Sequence, residues 1–168
     1  MNLYVKTAKT KLPLYEFSFV KATAPFYAQG RIWNIANVDL FRRVVKYVVE
    51  NVGKTFSPNA IVKFLKNQGR SLSVESVYNY LEWLEKAFVV YRCHRYDLQG
   101  KSVLKTQEKF FLADASLKYC MMGFNSKSVA AMLESIVYLE LCRKGYEVYI
   151  GKDGTKEIDF VAVLRDAY

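Results

Sequence analysis

The chain has few residues of the types that build disulfide frameworks, thiolate zinc sites or histidine-based catalytic centres. Its three cysteines, Cys93, Cys120 and Cys142, are an odd number with no close pair, so neither a disulfide framework nor a zinc site is indicated. His94 is the single histidine, and Cys93 beside it would point to the opposite face of a strand, which excludes a Cys–His nucleophile pair. A reducing, cytoplasmic setting fits this composition, and we expect His94 to be structural.

Long apolar runs and nucleotide-binding loops are also missing. The N-terminal segment carries lysines at Lys6, Lys9 and Lys11 and never builds an uninterrupted apolar run, so we expect neither a signal peptide nor a membrane partner. Two segments end like a phosphate-binding loop, Gly53-Lys54-Thr55 and Gly100-Lys101-Ser102. Each lacks the earlier glycine that the motif needs, so we expect no ATPase site in this chain.

The basic residues are concentrated in the middle of the chain, which has 168 residues and a net charge of +9. Residues 39–127 contain fifteen basic and eight acidic residues, whereas residues 128–168 contain five basic and seven acidic ones. An anionic partner for the middle part and a cation-holding site in the last part are compatible with this asymmetry. An ordinary solvated surface explains the charge equally well.

From residue 39 the sequence predicts three helices in succession. Asp39 is placed to cap the first helix, Ser57 precedes a proline in the first turn of the second, and Ser73 can cap the third. Apolar residues at helical spacing support each of them: Leu40, Val44, Val45, Val48 and Val52, then Ile61, Phe64 and Leu65, then Val74, Val77, Leu81, Leu84 and Phe88. Residues 1–38 show no sustained period, and we expect a poorly ordered or irregular arm there.

Strand-forming residues follow the third helix. The run 89–96 and the run 109–113 are separated by a turn at 97–101 that contains Gly100. Three helices followed by a hairpin predict a winged helix-turn-helix domain over residues 39–113, with the third helix as recognition helix and the turn around Gly100 as the wing.

The last part of the chain, residues 114–168, predicts an α/β module. A short helix ending near Gly123 precedes a longer helix that Gly145 terminates, and two strands flank a turn at Asp153-Gly154. Two acids have unusual places in this pattern. Glu134 lies in a largely apolar helix and Asp159 in an apolar strand, where a carboxylate is costly unless it is paired or holds a cation.

Several segments together resemble the C-terminal region of a family of prokaryotic AAA+ type ATPases. The segments that carry the resemblance are Phe56–Asn59, Tyr78–Leu81, Ala87-Phe88, Arg95–Asp97 with Gly100-Lys101, Leu133-Glu134, Val137–Leu141, Gly145-Tyr146 and Glu157–Val161. The resemblance implies a winged helix followed by a restriction-endonuclease-like domain related to the PD-(D/E)XK nucleases. The ATP-binding domain of that family has no counterpart in this sequence. In addition, the residues after Asp114, Ala115-Ser116-Leu117, replace a turn that usually contains glycine in that family.

The nuclease resemblance implies a divalent metal site that this chain completes only in part. In such a site a helix glutamate and a strand aspartate hold the metal, and a following strand supplies another acid and a lysine that positions the attacking water. Glu134 and Asp159 match the first two, so they are the candidate catalytic and metal-binding residues, with Mg²⁺ or Mn²⁺ held weakly. The third strand is expected to follow a turn near Arg165-Asp166, but the sequence stops at Tyr168, so we expect no residue to take the lysine's role.

Two alternatives to this site stay open. Helical periodicity favours Glu140 over Glu134 as the buried acid, because Glu140 falls near the middle of the apolar arc of Val129, Leu133, Ile136 and Val137. The acids can also simply contact nearby lysines or backbone groups.

The winged helix offers a set of candidate nucleic-acid contacts. The residues placed to reach phosphates or bases are Lys63, Lys66, Arg70, Asn79, Tyr80, Lys101 and Lys105. The recognition helix also exposes Glu75, Glu82 and Glu85, which repel a phosphate backbone. These acids favour non-specific duplex DNA binding, a protein partner or a homodimer over sequence-specific recognition.

The sequence therefore predicts a winged helix and a truncated nuclease-like module that together serve as the accessory region of an AAA+ ATPase-like protein. The alternative function is a free-standing winged-helix transcriptional regulator. A dimer whose third helices lie about 34 Å apart would favour that alternative.

Overall fold

The computed structural model describes residue 35 and residues 37–164, except for the side chains of residues 105 and 106. Most of the arm expected at residues 1–38, and the turn expected near Arg165-Asp166, lie outside the described residues. The described part forms five α-helices, α1 (Val38–Glu50), α2 (Pro58–Asn67), α3 (Val74–Lys86), α4 (Ser116–Met122) and α5 (Val129–Arg143). Its strands are β1 (Thr55–Phe56), β2 (Val90–Asp97), β3 (Ser102–Leu112), β4 (Tyr146–Asp153) and β5 (Lys156–Leu164).

The capping of α1 differs from the sequence prediction by two residues. Asn37 is the N-cap, and its side-chain oxygen accepts a hydrogen bond from the backbone N–H of Leu40 at 3.0 Å. Asp39 instead lies in the first turn, where its carboxylate pairs with Nε of Arg43 at 3.0 Å. An acid in the first turn is still favourable, because the helix dipole is positive there.

The starts of α2 and α3 are as predicted. Ser57 and Ser73 each accept a hydrogen bond from the backbone N–H three residues further on, at 3.3 Å and 3.0 Å. The end of α3 differs, because the helix stops at Lys86 and Phe88 has a positive φ of 55° outside it. Phe88 is exposed and does not belong to the buried stripe of α3.

All five strands form one mixed sheet, in the order β1-β3-β2-β4-β5. Neighbouring strands are antiparallel, except that β2 and β4 run parallel at Arg95–Asp97 and Ile150–Lys152. The predicted hairpin 90–112 and the second hairpin 146–164 are therefore parts of the same sheet, which continues across the boundary expected at residue 113. β5 is an edge strand of the described sheet, with β4 as its described neighbour.

Helices cover both faces of this sheet. On one face, buried residues of α1, α2 and α3 pack against Phe56, Val90, Phe110 and Leu112 in the larger core. On the other face α5 covers Phe111, whose ring stacks on that of Tyr138 at 4.5 Å. Since alternate residues of a strand face opposite sides, β3 contributes to both cores. The fold is thus mixed α/β, as predicted.

The buried face of α5 is not the predicted one. The buried residues of α5 are Met132, Ser135 and Tyr138. Met132 belongs to the larger core and Tyr138 to the smaller one. The apolar arc expected to be buried, Val129, Leu133, Ile136 and Val137, is exposed. The helix is apolar on most sides, so its periodicity cannot identify the side that the sheet covers.

The described part contains no helix of the length and apolarity needed to cross a membrane.

Candidate functional site

A buried lysine brings together the acids of the predicted metal site. The ammonium of Lys109 lies 3.4 Å from Oε2 of Glu134, 2.8 Å from Oε1 of Glu157 and 3.9 Å from Oδ1 of Asp159. We call these four residues the Lys109 cluster. The two predicted acids, Glu134 and Asp159, thus lie in one site, and Glu157 and Lys109 join them.

Three elements position the cluster. Lys109 lies in β3 opposite Thr55 of β1 and Cys93 of β2, and strand alternation places its side chain on the same face as Phe111, under α5. Glu134 enters from α5, beside the buried Ser135. Glu157 and Asp159 come from β5, and both carboxylates reach Lys109 although the register with β4 shifts between Ile158 and Val161.

Sequence reasoning missed Lys109 because it expected any such lysine to come from a strand after β5. In the structure a lysine of β3 lies among these acids. The available signal was a charged residue at the start of the apolar run 109–113, where a buried charge needs partners. Only the sheet order, which the sequence does not reveal, brings Lys109 to Glu134.

The electrostatics of the cluster are governed by the lysine. Lys109 is 3% exposed. Burial alone would lower its pKa, but the hydrogen bond to Glu157 and the charge of Glu134 outweigh burial and raise the pKa above the ordinary value. Lys109 therefore stays charged at neutral pH. The side chain of Asp159 is 72% exposed, so this acid lies at the solvent side of the cluster.

The cluster as arranged does not fit the divalent metal that the nuclease resemblance implies. The ammonium of Lys109 is within 4 Å of all three carboxylates, so it already supplies the positive charge that Mg²⁺ or Mn²⁺ would bring. Within residues 37–164, no three His, Cys, Asp or Glu side chains are grouped closely enough to hold a metal ion. The contacts to a nearby lysine, considered above as an alternative, are present.

Glu140 is not the buried acid that helical periodicity favoured. Its carboxylate pairs with Arg143 at 2.7 Å and with Lys144 at 3.7 Å on the outer side of α5. The hydrogen bond from Arg143 lowers the pKa of Glu140 to about 2. Glu140 therefore takes no part in the Lys109 cluster.

The predicted nucleic-acid contacts occupy several separate parts of the surface. Lys63 and Lys66 are exposed on α2, Arg70 is exposed just after it, and Asn79 is exposed on α3. Lys101 is exposed in the hairpin turn, whereas Lys105 lies within β3 and its side chain is outside the described part.

Tyr80, which was predicted to contact nucleic acid, is buried and does not belong to the exposed candidate residues. Its side chain is 6% exposed and packs edge-on against Phe41, with ring centroids 5.1 Å apart, and against Trp83 at 5.2 Å. Residue 80 is on the inner side of α3, so its ring supports the core and does not reach the surface. Burial also raises the pKa of its hydroxyl.

The turn of the β2–β3 hairpin packs against the second hairpin of the sheet. The backbone N–H of Leu98 donates to the carbonyl of Lys152 at 2.9 Å, and the amide of Gln99 donates to Asp153 at 3.0 Å. The expected wing is therefore held against the β4–β5 turn.

The acids of α3 and the neighbouring strands form an ion-pair network. Arg92 donates two hydrogen bonds to Glu85, at 3.1 Å and 2.6 Å, and lies 3.4 Å from Glu108. Nδ1 of His94 is 3.1 Å from Glu108, in agreement with a structural role for this histidine. Burial raises the pKa of Glu85 despite the opposing charge of Arg92. Part of the negative charge of α3 is thus compensated within the protein.

Comparison with known proteins identifies a family without an assigned function. Residues 30–128 match a family described as a domain of unknown function, DUF8612. This match includes α1 to α4 and the β2–β3 hairpin but ends before α5. No solved structure matches the chain.

Two uncharacterised relatives are much longer than this chain. A protein of Haemophilus influenzae is 36% identical over 132 residues, which are 79% of this chain and 33% of the relative. A protein of Methanocaldococcus jannaschii is 25% identical over 134 residues, which are 77% of this chain and 29% of the relative. The chain thus spans about a third of the length of these relatives. Since the family match covers more than half of its residues, the chain belongs to the DUF8612 domain family.

Proposed function

We propose that this chain is a non-catalytic accessory region of a longer, AAA+ ATPase-like protein, and that it contacts duplex nucleic acid without sequence preference. The observation that carries the proposal is the exposed basic surface at Lys63, Lys66 and Arg70, on α2 and just after it. The acids described in residues 37–164 form no ion pair with Lys63 or Lys66, so both ammonium groups are available to phosphates.

The order of elements supports a winged helix as the unit that makes this contact. Three helices and the β2–β3 hairpin follow each other as in that fold, and α3 has the place of the recognition helix. The surface of α3 carries the exposed Glu75 and Glu82, which oppose its insertion between two phosphate backbones, whereas Glu85 is paired with Arg92. The basic residues of α2 therefore make the contact, and this explains the absence of sequence preference.

The acid cluster supports an inactive nuclease-like module. Lys109 offsets part of the charge of Glu134, Glu157 and Asp159 and joins β3, α5 and β5 across the sheet. An ion cluster of this kind orders its elements, and its ammonium is paired with the acids that a nuclease would use to hold a metal. The role of the cluster is structural.

The accessory role is supported by the length of the relatives, of which this chain matches about a third. A free-standing transcriptional regulator is less well supported. Its recognition helix would have to enter the major groove, and the acids of α3 oppose this.

Fluorescence anisotropy with a random-sequence DNA duplex at 50 and 200 mM salt tests the proposal. We expect weak binding that falls steeply with salt, and a Lys63→Glu/Lys66→Glu variant should lower the slope of log K against log salt by about two. A Lys144→Glu/Lys156→Glu variant changes the net charge equally on exposed lysines of the last part of the chain. It is the matched control and should bind more tightly than the first variant.

Equal losses in the two variants, or no binding at 50 mM salt, would refute the proposal and favour a protein contact. A plasmid-cleavage assay with Mn²⁺ completes the test. Cleavage that disappears in an Asp159→Asn variant would show that the Lys109 cluster is catalytic, contrary to the structural role proposed for it.

A further inference from the structure

A cleft next to the Lys109 cluster is lined by three lysines. It has a volume of about 560 Å³ and lies between the end of α1, α4 and the start of α5. Lys54, Lys118 and Lys127 line it from these three directions. Its volume is within the range of small-molecule sites, which is roughly 300–1,000 Å³.

The central feature of the cleft is the buried lysine of α4. Lys118 is 7% exposed, and its ammonium donates to the backbone carbonyl of Glu50 at 3.2 Å. An ammonium has three N–H donors, so this bond leaves two donors for a ligand. No acid of the described residues forms an ion pair with Lys118. Burial and the charge of Lys54 lower its pKa, and an anion in the cleft would reduce the cost of keeping it charged.

Backbone geometry at the floor of the cleft adds to this arrangement. Gly53 has a φ of +77° and approaches α5 so closely that a Cβ there would lie 3.0 Å from Cβ of Ala131. A 3₁₀ turn, Ser126–Ser128, leads directly into α5, and the side chain of Asn125 caps it by accepting a hydrogen bond from the backbone N–H of Lys127 at 2.9 Å. Asn125, Lys127 and Ser128 line the cleft, so this capped turn holds the backbone of Lys127 at its edge. The acids Glu50 and Glu134 also line the cleft, but Glu134 is paired with Lys109.

We propose that this cleft binds a phosphate group through Lys54, Lys118 and Lys127. The proposal deepens the proposed function, since the phosphate can belong to a nucleic-acid backbone. It can also belong to a small phosphorylated molecule. Both sources present anionic phosphate oxygens, which match the ammonium donors of a cleft with a buried lysine at its centre.

Two variants isolate the site. Lys118→Met removes the buried charge and keeps an unbranched apolar side chain, whereas Lys127→Gln removes an exposed charge and should not disturb folding. Lys144→Gln is the matched control, because Lys144 is an exposed lysine outside the cleft. Phosphate binding is measured by isothermal titration calorimetry with sodium phosphate, with sodium chloride at equal ionic strength as the reference.

We expect saturable phosphate binding that weakens about tenfold in Lys118→Met and in Lys127→Gln, as removal of one charge-assisted hydrogen bond implies, and that is unchanged in Lys144→Gln. If the same two variants weaken duplex DNA binding and phosphate competes with DNA, the source is the nucleic-acid backbone. If DNA binding is unchanged, the ligand is a small phosphorylated molecule and the proposal still stands.

The proposal would be overturned if titration of phosphate into the wild-type protein gave only the heat of dilution. It would also be overturned if Lys127→Gln and Lys144→Gln bound phosphate with equal affinity. The proposed DNA contact is judged separately by the Lys63→Glu/Lys66→Glu variant, which leaves the cleft intact. Failure of one proposal can thus be distinguished from failure of the other.

Discussion

Replacing Lys109 by methionine tests whether the Lys109 cluster stabilises the fold. Methionine keeps the apolar part of the side chain but leaves Glu134, Glu157 and Asp159 without their common cation. Removal of one partner from a buried ion pair costs about 3–5 kcal/mol. The side chains of Glu134 and Glu157 are 28% and 37% exposed, so water screens part of the repulsion and we expect a loss of about 2–3 kcal/mol.

Thermal unfolding followed by circular dichroism measures this loss. For a chain of this size each kcal/mol shifts Tm by about 2–4 °C, so Lys109→Met should unfold about 5–10 °C below the wild type at pH 7. Lys63→Met is the matched control, because it removes an exposed lysine of α2. Its free energy of unfolding should change by less than about 0.5 kcal/mol.

A combined variant makes the test specific. Adding Glu134→Gln and Glu157→Gln to Lys109→Met removes the two partly buried acids and leaves only Asp159, whose side chain is exposed to water. Neutral replacement of buried ion partners is often close to neutral in stability. We therefore expect the triple variant to regain most of the lost Tm. An unchanged Tm in the single variant, or a triple variant less stable than the single one, would refute this account.

The pH dependence of the Lys109→Met effect has a definite sign. Since the folded state raises the pKa of Lys109 above its ordinary value of 10.5, the stabilisation is fully present below that pH. It is lost as the pH rises through the raised pKa of the folded state. The difference in Tm between wild type and Lys109→Met should therefore shrink only above about pH 10.5.

Two further predictions concern thiol reactivity and the orientation of α5. Cys93 is buried, its thiol donates to the carbonyl of Val148 at 3.4 Å, and burial raises its pKa to about 12. Mass spectrometry after iodoacetamide treatment at pH 8.5 should therefore show the exposed Cys142 alkylated and Cys93 intact. Modification of Cys93 before Cys142 would contradict the fold. Met132→Ala should lower the free energy of unfolding in urea by about 2–4 kcal/mol, because Met132 is 3% exposed. Leu133→Ala should lower it by less than about 1 kcal/mol, because Leu133 is 57% exposed. Equal losses would show that α5 buries another face.

Local signals in the sequence determined most of the secondary structure. Ser57 and Ser73 cap their helices as expected, because capping depends only on a side chain and an N–H three residues away. The glycines that end helices are a local signal too, because Gly123 after α4 and Gly145 after α5 each adopt a positive φ. Where local signals compete, as between Asn37 and Asp39 at α1, the prediction was wrong by two residues.

Tertiary structure decided what local signals could not. Because α5 is apolar on most of its sides, the side that is buried depends on where β3 and β4 lie. The same sheet order brings Lys109 of β3 to Glu134 of α5 and Asp159 of β5. In sequence these residues belong to separate parts of the chain. The sequence alone therefore indicated two of the acids, and only the parallel pairing of β2 with β4 determined that a buried lysine lies between them.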